Sequence, residues 1–455
     1  MEDENLDLTQ GSILKLLLRF SIPAISGMVI NAIYAFVDKI FVSRTAGALA
    51  FSGIVVSMPL ILIAMGFALL VGVGAAVQIS IRMGEGRRHI AERTLGNAII
   101  LFIAVSAVIT TIGLVFLEPL LTLYGARGEV LDYAMQYMRI IIIGSSFQII
   151  GFGLTHLIRA IGKPYQSMFA MVVGAVLNIF LSFIFVFLFN LGVRGAAIST
   201  VIAQSVTLML ALYILIRGKN MPVRLKARNL KLNWKMVFGI FAFGMSPFFT
   251  QIVGSVVVGI TNNTLRVYGG ELAIGAMGII AQFVMLFLMP IFGLNQGSQP
   301  ILGFNYGAKR YDRVKATLKY TVSTAAAISF IGWFVIVFFP QIPIRIFTED
   351  QALIDIAMSG MPIFAGAFLL TGTQLIMAMF FQSVGKAKIA LILNMLRQVI
   401  LFIPLMLILP RYLGLYGVWY AGLIADITAF VITVSLFTYT LRTKLRSIVR
   451  VKLRT

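Results

Sequence analysis

The chain has 455 residues, of which 60% are hydrophobic and only 12% charged, with a net charge of +21 and a mean hydropathy of +0.98. Soluble domains carry about 25% charged residues, so this composition excludes the soluble class. A membrane-spanning helix needs roughly 20 apolar residues. An outer-membrane barrel would show alternating segments of about 10 residues, whereas 99–116 is one uncharged apolar run. We therefore predict an all-α polytopic membrane protein.

Apolar runs separated by short polar breaks fill residues 13 to 440 and predict twelve transmembrane helices in two pseudo-symmetric six-helix lobes. The predicted domains are an N-terminal lobe at 1–217, a basic cytoplasmic linker at 218–234, a C-terminal lobe at 235–440 and a basic cytoplasmic tail at 441–455. The predicted spans are 13–43, 51–81, 91–116, 130–158, 164–189, 193–217, 235–265, 271–304, 314–340, 351–382, 388–411 and 415–440.

The basic residues are distributed unevenly between the two sides of the membrane that these spans define. Of the 37 Lys and Arg residues, 28 lie on the side of both termini, eight lie on the other side, and Arg397 lies within a span. By the positive-inside rule, both termini are predicted to be cytoplasmic in a multi-pass protein of the inner or plasma membrane. The charge then matches anionic membrane lipids as partners, and no nucleic-acid partner is expected.

The first ten residues are acidic and precede no small-residue cleavage site, so the first span is expected to be retained rather than removed as a signal peptide.

The two halves of the chain repeat each other at an offset of about 223 residues. Gly74 aligns with Gly297, and Gly84 aligns with Gly307. Other aligned pairs are Asp132 with Asp355, Gly162 with Gly385, Leu191 with Leu413 and Pro23 with Pro247. Six spans per half make this a parallel repeat, as in some secondary transporters, whose two bundles rock to open a cavity to either side in turn.

Several motifs occur in a characteristic order: LLLRFSIPAISGMVINAIYAFVDKIFVSR, GVGAAVQISIRMGEGR, LIRAIGKP, AVLNIF, LGVRGAAIST and GLNQGSQPILGFNYGAKR. Together they resemble the prokaryotic branch of the multidrug and toxic compound extrusion (MATE) family over residues 11 to 440. The resemblance implies a secondary active exporter of amphipathic or cationic organic compounds, antiported against H+ or Na+ by alternating access. A flippase for lipid-linked sugars, from the same superfamily, is the alternative. The resemblance implies no cofactor beyond the coupling ion, and a functional monomer.

One carboxylate and several neutral polar groups are predicted at a similar depth in the N-terminal lobe. Asp38 lies in the outer part of the first span, and a buried carboxylate is costly unless it is paired or protonated. The family pattern implies that Asp38, Asn178 and Thr200 line the cation site, as metal ligands if the ion is sodium. The complete coupling set is Asp38, Asn178, Thr200, Tyr34 and Ser182, with Pro23 as the hinge of the first span.

The family often has a second aspartate where this chain has Ser182, so protons and sodium are both retained as coupling ions. Asp38 could also be purely structural, bonding to Asn178 and Thr200.

The C-terminal lobe does not repeat this chemistry, since Asn262 stands opposite Asp38. Arg397 and Asp426 lie near mid-depth and are predicted either to form a structural ion pair or to leave Asp426 facing substrate. Gln296 and Gln299 face the cavity or bond between helices. The predicted substrate cavity comprises Asn262, Gln296, Gln299, Met285 and Asp426.

An enzyme is not expected, because the sequence contains no HExxH box or paired histidines that would support catalysis or a zinc site. His89 and His156 are predicted to be surface or headgroup residues.

Overall fold

A computed structural model describes residues 12–124, 126–218, 221–347 and 351–440. Within these ranges, the side chains between 31 and 55 are described only in part, and those of Tyr34 and Asp38 lie outside the described set.

Six α-helices form the N-terminal half. They are α1 (Ile13–Gly84), α2 (Arg88–Val115), α3 (Leu117–Leu123), α4 (Gly128–Ala160), α5 (Pro164–Ser182) and α6 (Gly192–Arg217). A π-helical turn, Phe183–Leu188, continues α5. The backbone stays helical where the sequence predicted a break between the first two spans, and α1 holds two membrane-length stretches, Ile13–Ile30 and Val56–Gly84.

Eight further α-helices follow in the described part of the chain after a short 3₁₀ turn, Ala227–Asn229, in the linker. They are α7 (Trp234–Gly307), α8 (Tyr311–Phe338), α9 (Gln341–Phe347), α10 (Gln351–Phe364), α11 (Phe368–Ser383), α12 (Ala387–Met395), α13 (Ile403–Leu413) and α14 (Leu415–Thr440). A π-helical segment, Leu396–Phe402, joins α12 to α13.

Membrane-length helices dominate the fold, as predicted. Within the described ranges, eleven helices are long and apolar enough to cross a membrane, and α10 and α11, bent by 50°, together supply a twelfth span. Gly270, at φ 71°, separates the two spans of α7, because glycine alone enters this backbone region without a steric penalty. Strands are absent from the described residues. The predicted all-α fold class is confirmed.

The chain packs as two compact units that divide α7. One unit contains the residues up to Ile252 together with Gln296–Lys309, and the other contains Val253–Asn295 and the residues from Arg310 onward. In the first unit, α4 packs against α1, α2 and α6, and in the second α11 packs against α8 and α14. The lobe boundaries at 217 and 235 remain predictions.

Glycines of the two repeats make reciprocal contacts within the first unit. A Cβ on Gly84 would clash with the carbonyl oxygen of Phe304, and a Cβ on Gly307 would clash with that of Ile81. The offset of 223 exchanges these two contacts, because it maps Ile81 onto Phe304 and Gly84 onto Gly307. Reciprocal contact of this kind is the signature of a two-fold relation between equivalent segments.

A second contact pair obeys the same rule. A Cβ on Gly74 would clash with the backbone at Ile240 and Gly244, while a Cβ on Gly297 would clash with the backbone of Ser21. The same offset maps Gly74 onto Gly297 and Ser21 onto Gly244. The internal repeat predicted from the sequence therefore corresponds to a two-fold arrangement of α1 and α7 segments.

We predict that Gly84→Ala and Gly307→Ala each destabilise the protein by about 1–3 kcal/mol, because the added methyl meets a backbone carbonyl that can move only with its helix. The measurement is the thermal unfolding midpoint of the purified protein in detergent. Gly278→Ala is the matched control, since a Cβ on Gly278 meets nothing within 4 Å and alanine favours the helix. Equal effects at all three positions would contradict the close approach.

Candidate functional site: a polar cavity in each repeat

The first repeat encloses a cavity of about 190 Å³. Its polar lining residues are Gln148, Thr155, Asn178, Thr200, Gln204 and Thr207, and its apolar ones are Ile61, Met65, Ala68, Phe147, Phe152, Met171, Gly174, Ala175 and Ala203. The described lining is therefore neutral, mixes polar with apolar groups, and includes two aromatic rings.

Helical periodicity places these side chains in the cavity. On α6, Thr200, Ala203, Gln204 and Thr207 recur at the spacing of one helix face. On α5, small residues occupy the turn before Asn178, namely Gly174 and Ala175. Small side chains on one helix and short polar ones on the facing helix leave space that a close-packed apolar seam would have filled.

Asn178 and Thr200, which the sequence predicted to lie together, are in contact. The Asn178 Nδ2 donates to Thr200 Oγ1 at 3.2 Å, and Asn178 is 1% exposed. The Asn178 Oδ1 is buried and has no hydrogen-bond partner among the described residues. A buried acceptor without a partner is costly, and a cation or a protonated carboxyl group would satisfy it.

The other members of the predicted coupling set are placed less completely. The side chains of Asp38 and Tyr34 lie outside the described residues. Ser182, at the end of α5, is fully buried and bonds to Ser199 Oγ at 2.6 Å rather than lining the cavity. Pro23 lies inside α1 and is buried. Proline removes one backbone hydrogen bond of the helix, which is what a hinge requires.

Two buried nitrogen-bearing side chains were not anticipated. His156 is 3% exposed, so its prediction as a surface residue is wrong. Neither of its ring nitrogens has a partner within the described part of the chain, and its ring packs edge-on to Phe152. Arg159, one turn later and also 3% exposed, donates to Ser167 Oγ at 3.3 Å and to Gln296 Oε1.

The tight turn between α4 and α5 explains this error. Gly162 adopts φ 96° and Pro164 opens α5, so the end of α4 folds against α5 rather than reaching a surface. The LIRAIGKP motif contained this signal, since Gly-Lys-Pro marks a sharp helix connection.

The second repeat contains the predicted ion pair. The Arg397 Nε donates to Asp426 Oδ1 at 2.6 Å, and Thr371 Oγ1 donates to Asp426 Oδ2 at 3.1 Å. Arg397 lies on the π-helical segment, a local geometry common at functional sites. The three side chains line a cavity of about 60 Å³ with Val284, Leu288, Phe364, Ala365, Phe368, Phe402 and Gly422.

The two cavities occupy equivalent positions in the repeats. Offsets of 222 to 223 pair Ile61 with Val284, Met65 with Leu288, Gln148 with Thr371, Gly174 with Arg397, Thr200 with Gly422 and Gln204 with Asp426. The larger cavity has glycine where the smaller one has arginine, so the Arg397 side chain occupies space that Gly174 leaves open. The equivalent positions therefore carry neutral polar groups in the first repeat and an ion pair in the second.

The predicted substrate-cavity residues divide between the two compact units: Gln296 and Gln299 belong to the first, and Asn262, Met285 and Asp426 belong to the second. Their meeting in one cavity stays a prediction. Gln296 receives the Arg159 hydrogen bond and donates to Met28 Sδ at 3.4 Å, and Gln299 is 7% exposed. Asn262 and Met285 are exposed and line neither cavity. Asp426 lines the second-repeat cavity, and it does so while paired with Arg397.

Among the described residues, no three His, Cys, Asp or Glu side chains lie close enough together to hold a metal ion. Of the sodium ligands implied by the resemblance, Asn178 and Thr200 are described and in contact.

A family comparison explains both the repeat and the paired cavities. The MatE family model matches residues 23–184 and again 247–408, so two copies, 224 residues apart, cover most of the chain. The chain belongs to the MATE family of transporters. The resemblance drawn from the sequence motifs is confirmed, and this MATE transporter is a multi-pass membrane protein.

Individual relatives match along nearly the whole length. The multidrug export protein MepA of Staphylococcus aureus is 28% identical over 447 residues, covering 98% of both chains, and its Staphylococcus haemolyticus counterpart is 27% identical over 446 residues. Among solved structures, the MATE multidrug transporter DinF-BH in complex with a rhodamine dye is 36% identical with a TM-score of 0.88, covering 94% of this chain and 96% of that one. A MATE in the bent conformation has a TM-score of 0.91 at 23% identity, covering 99% of this chain and all of that one.

We predict a strong energetic coupling between Arg397 and Asp426. The Arg397 and Asp426 side chains are 37% and 13% exposed, so removing one partner, by Arg397→Gln or Asp426→Asn, leaves the other partly desolvated and should cost about 1.5–3 kcal/mol. The double variant should regain part of this loss, because no uncompensated charge remains. The thermal unfolding midpoints of the four proteins form the cycle, and additive losses would contradict a coupled pair.

The same double variant separates the two roles predicted for Asp426. If Asp426 serves only the pair, the double variant should transport at the wild-type rate once its stability is restored. Restored stability with lost transport would mean that Asp426 also contacts substrate.

Proposed function

We propose that this transporter exports amphipathic, mainly cationic organic compounds in exchange for inward movement of H+ or Na+. The observation that carries the proposal is the near-complete alignment with a multidrug export protein, over 98% of both chains. The dye-bound structure, from a relative 36% identical, supports a rhodamine cation as a probe substrate. Binding of such cations suits cavities that present aromatic rings, as the first-repeat cavity does with Phe147 and Phe152.

Coupling is proposed to take place in the first repeat. Its cavity contains an acceptor without a partner among the described residues, Asn178 Oδ1, beside Thr200, whereas the carboxylate of the second cavity is already neutralised by Arg397. The Asp38 carboxyl group would bind and release a proton or a sodium ion beside these neutral oxygens. Hard cations prefer oxygen ligands, which these groups provide.

Alternating access is proposed to arise from movement of the two six-helix lobes, with α1 bending at Pro23. The cytoplasmic placement of both termini, an inner-membrane location and function as a monomer belong to the same proposal. Their support is the distribution of basic residues between the loops and the presence of both repeats in one chain.

The proposal is tested by efflux from cells and vesicles. Expression in an efflux-deficient bacterium should lower ethidium and rhodamine accumulation, and proteoliposomes with a proton or sodium gradient imposed separately should show which ion drives uptake. Absence of any effect across a broad compound panel, combined with flipping of a labelled lipid-linked sugar, would favour the flippase alternative.

We predict that Asp38→Asn abolishes gradient-driven export to the level of empty vesicles while preserving substrate binding. The amide keeps the size and hydrogen-bonding capacity of the carboxyl group but cannot titrate or hold sodium. Rhodamine transport and rhodamine binding to purified protein are the two measurements. Asn262→Ala, at the repeat-equivalent position, is the control and should affect coupling less. Wild-type transport by Asp38→Asn would make Asp38 structural.

Ser182→Asp is predicted to shift coupling toward sodium, because a second carboxylate one helical turn from Asn178 would raise the negative charge beside the cavity. Ser182 is fully buried and hydrogen-bonded to Ser199, which could bond to the new carboxylate. Ser182→Asn is the matched control, with the same shape and no charge. The ratio of sodium-driven to proton-driven transport should rise for the aspartate variant alone, and an equal rise in both would refute a charge effect.

A further inference from the structure

A further polar cavity, unrelated to the repeat cavities, lies between the start of α2 and the linker before α7. Its volume is about 580 Å³. Its lining residues are His89, Glu92, Arg93, Asn97, Arg228, Asn229, Lys231, Leu232, Asn233 and Met236. All of them belong to the first compact unit.

The cavity carries excess positive charge. The carboxylate among its described lining residues, Glu92, is held by Lys226, whose Nζ donates to both oxygens at 2.7 and 2.8 Å. Arg93, Arg228 and Lys231 form no ion pair with a carboxylate among the described residues. Three like charges around one space repel each other, and an anion placed among them would relieve that repulsion.

Buried contacts hold the linker against α2 and define the cavity. Asn97, 1% exposed, accepts from the Asn233 backbone N at 2.7 Å and donates to the Lys231 carbonyl at 3.2 Å. A Cβ on Gly96 would clash with the Asn229 carbonyl, so glycine permits this approach. Asn233 also caps α7, accepting from Met236 N. These contacts fix the backbone segments that carry Arg93, Arg228 and Lys231.

Exposed apolar side chains lie beside the cations. Leu230 and Leu232 are 42% and 43% exposed, and Trp234 and Phe238, one helical turn apart on α7, are 66% and 70% exposed. Binding of a soluble anion does not require exposed apolar side chains beside the cavity, whereas tryptophan beside basic residues is typical of the bilayer interface. Segments that combine apolar and basic side chains lie in that interface.

We propose that this cavity binds the phosphodiester headgroup of an anionic glycerophospholipid, with the acyl chains lying along Trp234 and Phe238. Arg93, Arg228 and Lys231 contact the phosphate, and Leu230 and Leu232 enter the interface. The proposal goes beyond the transport function and uses only the proposed cytoplasmic placement of the linker. The lipid would tie the connection between the two halves to the membrane surface.

The test measures lipid binding to the purified full-length protein by native mass spectrometry. Titration with dioleoylphosphatidylglycerol and with dioleoylphosphatidylcholine should give one site that prefers the anionic lipid. The variant R93Q/R228Q/K231Q should weaken phosphatidylglycerol binding on the order of 100-fold, since each basic residue near an anionic surface contributes about 1 kcal/mol. The variant R310Q/K315Q/K319Q, which removes three exposed cations elsewhere, is the matched control and should bind as wild type.

Three outcomes would overturn the proposal. Equal losses of phosphatidylglycerol binding in both triple variants would mean that the lipid is attracted by surface positive charge in general. Equal affinity for the two lipids would mean that the cavity does not recognise the headgroup. If millimolar inorganic phosphate or glycerol phosphate displaces bound phosphatidylglycerol as effectively as added phosphatidylglycerol does, the cavity is a soluble-anion site. Lipid binding is measured without an ion gradient, so its failure is distinguishable from failure of drug export.

Discussion

The close approach of backbone segments at Gly84 and Gly307 is the constraint on which the arrangement of the repeats depends. Gly84 faces the carbonyl of Phe304, and Gly307 faces the carbonyl of Ile81. The repeat maps Ile81 onto Phe304, so the two contacts are equivalent. Any side chain at either position would force apart segments of α1 and α7 in the same compact unit. With no hydrophobic force between helices in lipid, small residues that allow close van der Waals packing determine where helices meet.

Two equivalent cavities follow from the repeat, and their chemistry has diverged. In the first, glycine and glutamine at Gly174 and Gln204 leave a space of about 190 Å³ lined by neutral groups. In the second, Arg397 and Asp426 occupy those positions, and only about 60 Å³ remains. The second cavity therefore carries a fixed positive charge at Arg397, which the described lining of the first cavity lacks.

This divergence bears on which repeat couples transport to an ion. The Arg397 guanidinium donates to an Asp426 carboxylate oxygen at 2.6 Å, so this carboxylate already has a cationic partner. The acceptor of Asn178 has no such partner among the described residues, and Thr200 adjoins it. The second repeat therefore has its charge paired internally, whereas the first has a buried acceptor without a partner among the described residues, which is why coupling is proposed there.

The sequence by itself determined the features that depend on composition, length and order along the chain. Apolar runs of membrane length established the spans, the glycine offsets established the repeat, and the motifs established the family. Two charges near mid-depth, Arg397 and Asp426, had to pair or face a cavity because hydrocarbon solvates neither.

Only the tertiary structure decided which residues meet, since that depends on helix rotation and on the turns between helices. Burial of His156 and Arg159 follows from the turn at Gly162 rather than from their distance to a span end. The Ser182 hydroxyl bonds to Ser199, and the Asn262 side chain is exposed, two facts that the depth of each residue along its span could not show. The equivalence of the two cavities also required the fold, because sequence offsets align positions without showing which of them face a common space.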